Sequence, residues 1–187
     1  STPSATITGL NSFTVCQNDP QPSVTFTGSN GTPPYTFAYS IGTTNFVVSS
    51  SGTSSSATIS VPTLINGNLV VRLNSVSDAS ATACSSTSIV LPNQAFVNVL
   101  EQGTITPVSL SLVSQTPCQG SSIDPIVFNI GGSATSAYAS NLPAGLNGVY
   151  NSSTRTFTIS GSPTAIGVFN YVIHTAGSPN GCNSTFN

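Results

Sequence analysis

Ionisable side chains are nearly absent from this sequence. The 187 residues include two Lys or Arg, four Asp or Glu and one His, for a formal net charge of −2. So few cations leave no electrostatic footprint for nucleic acid and no patch for an anionic membrane. No apolar run approaches the roughly 18 residues that a membrane-spanning helix requires. We therefore expect no nucleic-acid partner and no direct membrane insertion, with Ser, Thr and Asn forming the solvated surface.

Lys, Met and Trp are missing altogether. Both basic residues are Arg, so this chain cannot form an intramolecular Lys–Asn isopeptide bond. The first residue is Ser and no secretory signal segment is recognisable, so we expect a processed or excised piece of a longer protein. The absence of Trp removes the buried core Trp of antibody domains.

Catalysis needs groups that hold or move protons, and the sequence supplies few of them. His174, the one His, falls on the outward parity of a predicted strand, where the first half of the chain has Asn74. The acids are scattered along the chain, at Asp19, Asp78, Glu101 and Asp124. No Ser-His-Asp order and no carboxylate pair is indicated. We predict that the protein is not an enzyme and has no catalytic residue and no cofactor.

Metal binding is also disfavoured by the pattern of side chains. No two Cys have the short spacing of a zinc site. Calcium takes six to eight oxygens, usually with several carboxylates, and Glu101 with Asp78 is the one conceivable nucleus. Because no acidic cluster accompanies that pair, we predict no metal site.

Strand patterns are abundant. Residues 154–160 and 168–175 alternate apolar and polar side chains on either side of a Gly- and Pro-rich turn over 161–164. Tyr35, Phe37, Tyr39 and Ile41 form another stripe with period two. This period is typical of antiparallel strands with one buried face. We expect an all-β protein without helix beyond a turn or two.

An internal repeat divides the chain. Cys16-Gln17 and Cys118-Gln119 each stand ten residues before a strand Phe, and Gly67 and Gly167 each precede an apolar triplet. At about 100 residues for one sandwich, the chain suits two. We predict domains over 1–101 and 102–187, a joint over 101–107, and a truncated final strand in the second domain. The second domain is expected to begin its core at Leu110 and Leu112.

The first strand is expected to be split into 3–10 and 12–15, and the end of the first domain into 88–91 and 95–100, with a break at Pro92. The expected core consists of the apolar side chains that occupy every second position of these strands. Its members are Val24, Phe26, Tyr35, Phe37, Tyr39, Ile59, Val61, Leu69, Val71 and Leu73, and in the second domain Ile126, Phe128, Phe157, Ile159, Phe169, Tyr171 and Ile173. For a core Phe169, truncation to Ala should cost about 3–5 kcal/mol.

Four cysteines in a chain with so few charges point to an oxidising compartment. Three pairings are possible. The duplicated order favours one bond per domain, Cys16 with Cys84 and Cys118 with Cys182. We expect such bonds to tie each domain mechanically; a cross-domain bond or free thiols are the alternatives.

Two stretches resemble known families. Residues 142–146 (LPAGL), 156–163 (TFTISGSP) and 167–171 (GVFNY) resemble bacterial Ig-like repeats of the He-PIG type. Residues 15–28 and 31–37, with 75–78 and 82–84, resemble the tandem repeats of SprB-like gliding-motility and cell-surface adhesins of Bacteroidota. The resemblance implies tandem Ig-like antiparallel β-sandwiches outside the cell, at a bacterial surface.

The function implied is that of a structural or adhesive repeat segment in a large secreted or surface-anchored filament, supporting attachment or gliding. Its partners would be neighbouring repeats, with surface polysaccharide as a candidate ligand. The alternative is a glycan-binding accessory module of a secreted polysaccharide-degrading enzyme.

Overall fold

The fold is all-β, as the alternating patterns predict. A computed structural model describes residues 1–8, 12–87, 89 and 93–187. The chain divides into two compact units, Ser1–Leu100 and Glu101–Asn187, which we call unit 1 and unit 2. In the described part of the chain, helical structure is confined to single 3-10 turns at Leu110–Leu112 and Pro179–Gly181. No helix there has the length and apolarity of a membrane crossing.

Unit 1 is an Ig-like sandwich of a three-stranded and a six-stranded sheet. Its strands are β1 (Ser4–Thr8), β2 (Ser12–Cys16), β3 (Ser23–Ser29), β4 (Thr36–Ile41), β5 (Thr44–Ser49), β6 (Ser56–Ser60), β7 (Gly67–Ser77), β8 (Ser85–Ser86) and β9 (Gln94–Leu100). The small sheet has the order β1-β3-β6. The large sheet has the order β2-β9-β7-β4-β5, with β8 beside β7. The first, third and sixth strands thus form one sheet, which packs against the sheet of the remaining strands as in an Ig sandwich.

The first strand is split, as predicted, and its two pieces lie in different sheets; residues 9 and 10 of the predicted piece over 3–10 lie outside the described set. β1 pairs antiparallel with β3, whereas β2 pairs parallel with β9, so that Cys16 lies opposite Leu100. Among the described residues, all other strand pairs of unit 1 are antiparallel. The predicted strand over 88–91 and the break at Pro92 fall on residues outside the described set, apart from Ile89.

The core of unit 1 lies between its sheets and consists of the predicted inward side chains. Phe26 is fully buried and its ring packs against Phe37 and Tyr39, with centroids 5.7 and 5.1 Å apart. Of the predicted core residues of unit 1, only Leu69 is partly exposed. Aromatic pairs at such distances stabilise a core beyond their area burial.

The outer face of the small sheet carries paired hydroxyl groups instead of charges. Thr25 and Thr58 approach to 2.8 Å, Thr27 and Ser56 to 3.0 Å, and Ser4 approaches Ser29 to 2.8 Å. Each pair joins neighbouring strands of the β1-β3-β6 sheet. We call this row the hydroxyl ladder. Cross-strand hydroxyl pairs of this type contribute to sheet stability.

Unit 2 has the strand order of a constant-type Ig sandwich. Its strands are β10 (Gly103–Pro107), β11 (Ile126–Gly132), β12 (Ser136–Ser140), β13 (Leu146–Asn151), β14 (Thr156–Gly161), β15 (Val172–Ala176) and β16 (Thr185–Phe186). One sheet has the order β10-β11-β14-β13 and the other β12-β15-β16. The two strand patterns around the turn at 161–164 thus enter different sheets.

The division between the units falls at Leu100 and Glu101, at the start of the predicted joint over 101–107, but a connecting role for the rest of that segment is wrong because Gly103–Pro107 form the edge strand β10. Gly103 pairs with Gly132 and Pro107 with Phe128. Pro107 is tolerated because it ends an edge strand, where a missing N–H costs little. The predicted inward pair is wrong too, since Leu110 is exposed and Leu112 half-buried in a 3-10 turn. The alternation in 103–107 is short and includes Thr, and the neighbouring residues 108–113 are more apolar.

Candidate functional site

The repeated Cys-Gln dipeptide marks a turn that the two units build in the same way. The side chain of Gln17 donates to the carbonyl of Leu64 at 2.6 Å, and that of Gln119 donates to Thr164 at 2.7 Å. One residue later, Asn18 and Gly120 have φ values of 68° and 78°. Only residues that tolerate this left-handed conformation fit here.

The same turns also make matching backbone contacts. The N–H of Asn18 donates to Thr63, and that of Gly120 to Pro163, at 3.0 and 2.8 Å. We call these two structures the Cys-Gln turns. The two units therefore repeat individual hydrogen bonds as well as sequence. The shared interaction of each turn is made by the glutamine side chain, Gln17 or Gln119, and not by the cysteine before it.

The predicted disulfide within unit 1 is not formed, because its cysteines lie at opposite ends of the large sheet. Cys16 lies opposite Leu100, next to the position where β9 meets Gly67 at the start of β7. The carbonyl of Cys84 accepts from the N–H of Asp78, just beyond the other end of β7. The eleven residues of β7 span roughly 35 Å at the usual rise, far more than a disulfide bridges.

The predicted disulfide within unit 2 fails for the same reason. The carbonyl of Cys182 accepts from Gly103 at 2.8 Å, and Gly103 pairs with Gly132 at the last residue of β11. Cys118 lies in its Cys-Gln turn beside Pro163, beyond the first residue of β11. The strand between them is seven residues long, or about 20 Å.

The four cysteines therefore differ from the expectation of one bond per domain. Cys84 and Cys118 are free, whereas Cys16 and Cys182 are disulfide-bonded. Cys84 is half-buried, with its sulfur 3.1 Å from the hydroxyl of Thr82, and Cys118 is exposed. A mechanical tie by one bond inside each unit is excluded by this geometry.

His174 lies on the outward face of β15, as predicted. Its ring stacks on that of Tyr138 with centroids 4.7 Å apart and an interplanar angle of 10°. Its Nε2 atom lies 2.9 Å from the hydroxyl of Ser140. Tyr138 is its direct neighbour across the pair of β12 and β15. The described contacts of this cluster include no carboxylate, and its stacked rings form a flat, partly exposed aromatic surface.

Asp78 has a structural role. It is buried, and its Oδ2 accepts from the N–H of Thr32 at 3.0 Å while Oδ1 accepts from Ser80 at 2.8 Å. The hydrogen bond from Thr32, followed by that from Ser80, lowers the pKa of this carboxyl below its usual value. These bonds hold the loop after β7 against the loop after β3. An oxygen used in this way is poorly placed to nucleate a calcium site.

The other acids also serve turns and strand ends. Asp19 accepts from the N–H of Cys16 at 3.0 Å. The main-chain N–H and carbonyl of Asp124 form hydrogen bonds with the side chain of Gln115. The main-chain carbonyl of Glu101 accepts from the hydroxyl of Ser133. Within the described residues no group of three or more His, Cys, Asp and Glu is placed to hold a metal ion.

The guanidinium group of Arg155 donates hydrogen bonds to neutral main-chain carbonyl groups. Its Nε donates to Ile130 at 3.1 Å, and one Nη donates to both Gly132 and Ala134 at 3.0 Å. The guanidinium thus holds the bend between β11 and β12. A planar fork of donors suits this task, which an ammonium group could not reproduce.

Unit 2 contains a groove with a volume of about 1030 Å³. Mostly apolar side chains line it. They come from the segment after the first 3-10 turn, including Val113 and Pro117, from residues 163–172, and from Phe186 at the end of β16. The hydroxyl of Tyr171 donates to the carbonyl of Val113 at 2.8 Å, and burial raises the pKa of this phenol. We call this feature the unit 2 groove.

Beside the unit 2 groove, the predicted strand over 168–175 is shorter than its pattern suggests. β15 begins only at Val172, and Phe169, a predicted core residue, is 41% exposed. Ile166 and Val168 are 85% and 93% exposed. The segment has the alternating sequence of a strand, but neither β12 nor β16 extends far enough to pair with residues 168–171. Unpaired backbone does not remain a strand.

Sequence reasoning did not identify the groove, because its lining comes from segments far apart in the chain. One signal was available: the final strand of the second domain was predicted to be truncated, which leaves a neighbouring strand without a partner. Comparison of the sequence with protein-family models and with curated proteins gave no match. The two units of this chain therefore provide the comparison on which the site is interpreted.

Proposed function

We propose that the chain is a load-bearing repeat segment of a large secreted or surface-anchored filament, of the kind that supports cell-surface attachment or gliding motility. Its units would act as successive beads that lengthen the filament and resist pulling. Neighbouring repeats would be its principal partners. Disulfide-bonded Cys16 and Cys182 favour an oxidising environment outside the cytoplasm.

The parallel pair β2 and β9 is the observation that supports this proposal most strongly. It joins the first part of unit 1 to its last strand, over residues 12–16 and 96–100. Tension applied at the two ends of unit 1 draws these parallel strands past each other. Their hydrogen bonds are then loaded together in shear, whereas an antiparallel hairpin pulled at one end opens bond by bond.

Single-molecule pulling of the whole chain tests this role. The N–H of Gln17 donates to Leu100 at 2.8 Å, and donors in a parallel pair recur at every second residue. Val15 therefore carries a donor directed at β9, while the N–H of Thr14 faces away from it on the edge of the sheet. The pulling is done under reducing conditions, so that the bonded cysteines carry no load.

We expect Val15→Pro to lower the unfolding force of unit 1. Thr14→Pro is the matched control and should leave it close to wild type, because Pro is tolerated where an edge-strand N–H faces solvent. Equal force distributions for Val15→Pro and wild type would exclude load-bearing by this strand pair.

The alternative, a glycan-binding accessory module, has one observation in its favour. The stacked rings of Tyr138 and His174 give a flat, partly exposed aromatic surface on β12 and β15. Such surfaces can stack against sugar rings. A glycan array would support this function if it gave binding that Tyr138→Ala abolishes and Tyr150→Ala retains.

A further inference from the structure

Strand β5 is an open edge of unit 1. In the described part of the chain it ends the large sheet, with β4 on one side and no strand on the other. Its register against β4 runs without irregularity from Thr36, opposite Ser49, to Ile41, opposite Thr44. Such an edge presents unpaired N–H and C=O groups, which form a template for a further strand.

The hydrogen bonding of the β4–β5 hairpin identifies the backbone groups that remain unpaired. The N–H of Ser50 donates to the carbonyl of Tyr35 at 2.8 Å, one residue beyond the ladder of the two strands. Because bonded pairs in an antiparallel ladder recur at every second residue, the even-numbered residues of β5 bond to β4. The N–H and C=O groups of Asn45, Val47 and Ser49 therefore point away from β4, toward the open side.

β5 has none of the features by which sheet edges commonly resist pairing. Those features are Lys, Pro, inward-pointing charges and bulges. The sequence of β5, TNFVVS, contains no Pro and no charge, and its register is free of bulges. Residues 20–71 contain no Asp, Glu, Lys, Arg or His at all. The edge is therefore open to pairing in its backbone and in its charge.

The exposed side chains in the middle of β5 are apolar. Val47 is 67% exposed, and Phe46 is 41% exposed although its ring stacks on Tyr39 at a centroid distance of 5.4 Å. Val47 and Phe46 are consecutive, so they project from opposite faces of the sheet. Both are good strand formers that pack well against cross-strand neighbours. A strand added at this edge would cover apolar surface on both faces.

We propose that unit 1 pairs with unit 1 of a second copy of this chain through β5, edge to edge and antiparallel, about a two-fold axis at Val47. In this register Val47 lies opposite Val47 of the copy, and Asn45 lies opposite Ser49 of the copy. The three outward N–H groups of each copy then donate to the three outward carbonyl groups of the other. The inference concerns a lateral contact and is independent of the load-bearing role.

A second copy is the occupant that this edge fits. The outward groups are spaced evenly about Val47, so the strand is complementary to itself when it is turned end for end. Two copies of a charged edge would repel each other, but β5 is neutral along its whole length. Pairing uses the open side of β5 in both copies, so the assembly closes at a dimer. Because one strand from each copy is a small interface, we expect a weak, reversible dimer with a dissociation constant between about 1 µM and 1 mM.

Sedimentation of the full chain across that concentration range tests the proposal. We expect a monomer–dimer equilibrium for the wild type. Val47→Lys should weaken the dimer by at least about tenfold, because the two introduced charges meet across the axis. Val149→Lys is the matched control, since Val149 is 56% exposed on β13, which is an edge strand of unit 2. This variant should dimerise as the wild type does.

Mixing two variants of opposite charge tests the register. Val47→Glu and Val47→Lys should each be monomeric alone, and an equimolar mixture should associate, because opposite charges then meet across the axis. Amide hydrogen exchange supplies a second readout. A rise in protein concentration should slow exchange at Asn45, Val47 and Ser49, and should leave exchange unchanged at Phe46 and Val48, which are already bonded to β4.

A wild-type chain that stays monomeric throughout the range would overturn the proposal and leave the edge to a strand of a different protein. So would a dimer that Val47→Lys leaves intact, or one that Val149→Lys disrupts to the same extent. If the two Val47 variants did not associate when mixed, the two-fold register would be wrong and the proposal with it.

Discussion

Two phenylalanines of unit 2 show how much the neighbouring strands decide the role of one side chain. Phe128 is fully buried and meets Phe186 edge-on at 5.1 Å, whereas Phe169 is 41% exposed beside the groove. We expect Phe128→Ala to lower the free energy of unfolding by about 3–5 kcal/mol, the range for core aromatics. Phe169→Ala should cost about 1 kcal/mol or less in the same urea titration, not the core value that its pattern suggests. A larger loss at Phe169 would place it in the core.

Asp78 makes stability depend on pH at the acid end. Its pKa is lowered in the folded state by the hydrogen bonds from Thr32 and Ser80. The stabilisation is present above the unfolded pKa of about 3.9 and is lost as pH falls through the lower folded value. We expect thermal unfolding between pH 6 and 2 to show a fall in Tm below about pH 4.

Asp78→Asn is the matched variant, because it preserves the shape and removes the titration. It should be less stable than wild type at pH 6 and lose less Tm on acidification. A wild-type fall that survived in Asp78→Asn would assign the acid sensitivity to another group.

Among the elements, the Cys-Gln turns make the most direct prediction from the repeat. Gln17 and Gln119 donate equivalent hydrogen bonds to the loops that follow β6 and β14. Gln17→Ala and Gln119→Ala should each lower the free energy of unfolding of the unit that contains it by about 1 kcal/mol.

Amide exchange can assign each loss to one unit, which makes each variant the control for the other. Gln17→Ala should speed exchange in unit 1 and leave unit 2 unchanged, and Gln119→Ala should do the reverse. Loss of protection in the wrong unit would contradict the equivalence of the turns.

The elements also show how far sequence reasoning reached. Alternation predicted the buried faces of β3, β4, β11 and β14, because a period of two is set by the geometry of each strand alone. It placed Phe169 in a strand and in the core, which was wrong because strand formation there depends on a partner from a distant part of the chain. β10 was missed since its short pattern includes Gly and Pro.

The cysteines illustrate the same distinction. Their duplicated order correctly signalled equivalent positions for Cys16 and Cys118, in the Cys-Gln turns. It could not show that a whole strand separates each of them from Cys84 or Cys182 in its own unit, because spacing along a chain carries no distance across a sheet. The unit 2 groove was invisible for a related reason, as it depends on what β16 fails to cover.

At the scale of the whole molecule, the hydroxyl ladder replaces the charges on which most protein surfaces depend. Its cross-strand pairs, such as Thr25 with Thr58, are neutral. Arg155 likewise binds carbonyl groups and not carboxylates. Dissolved ions screen interactions between charges over a Debye length of about 10 Å at 0.1 M and about 3 Å at 1 M, but they leave neutral hydrogen bonds largely untouched.

The consequence is a fold that should be indifferent to ionic strength. From about 0.05 to 1 M NaCl at pH 7, we expect the Tm of the wild-type chain to change by less than about 2 °C, because a shift of several degrees corresponds to roughly 1 kcal/mol. Differential scanning calorimetry measures this directly, and a shift of many degrees would show that charge interactions matter after all. A surface built in this way would hold equally well in fresh water and in brine.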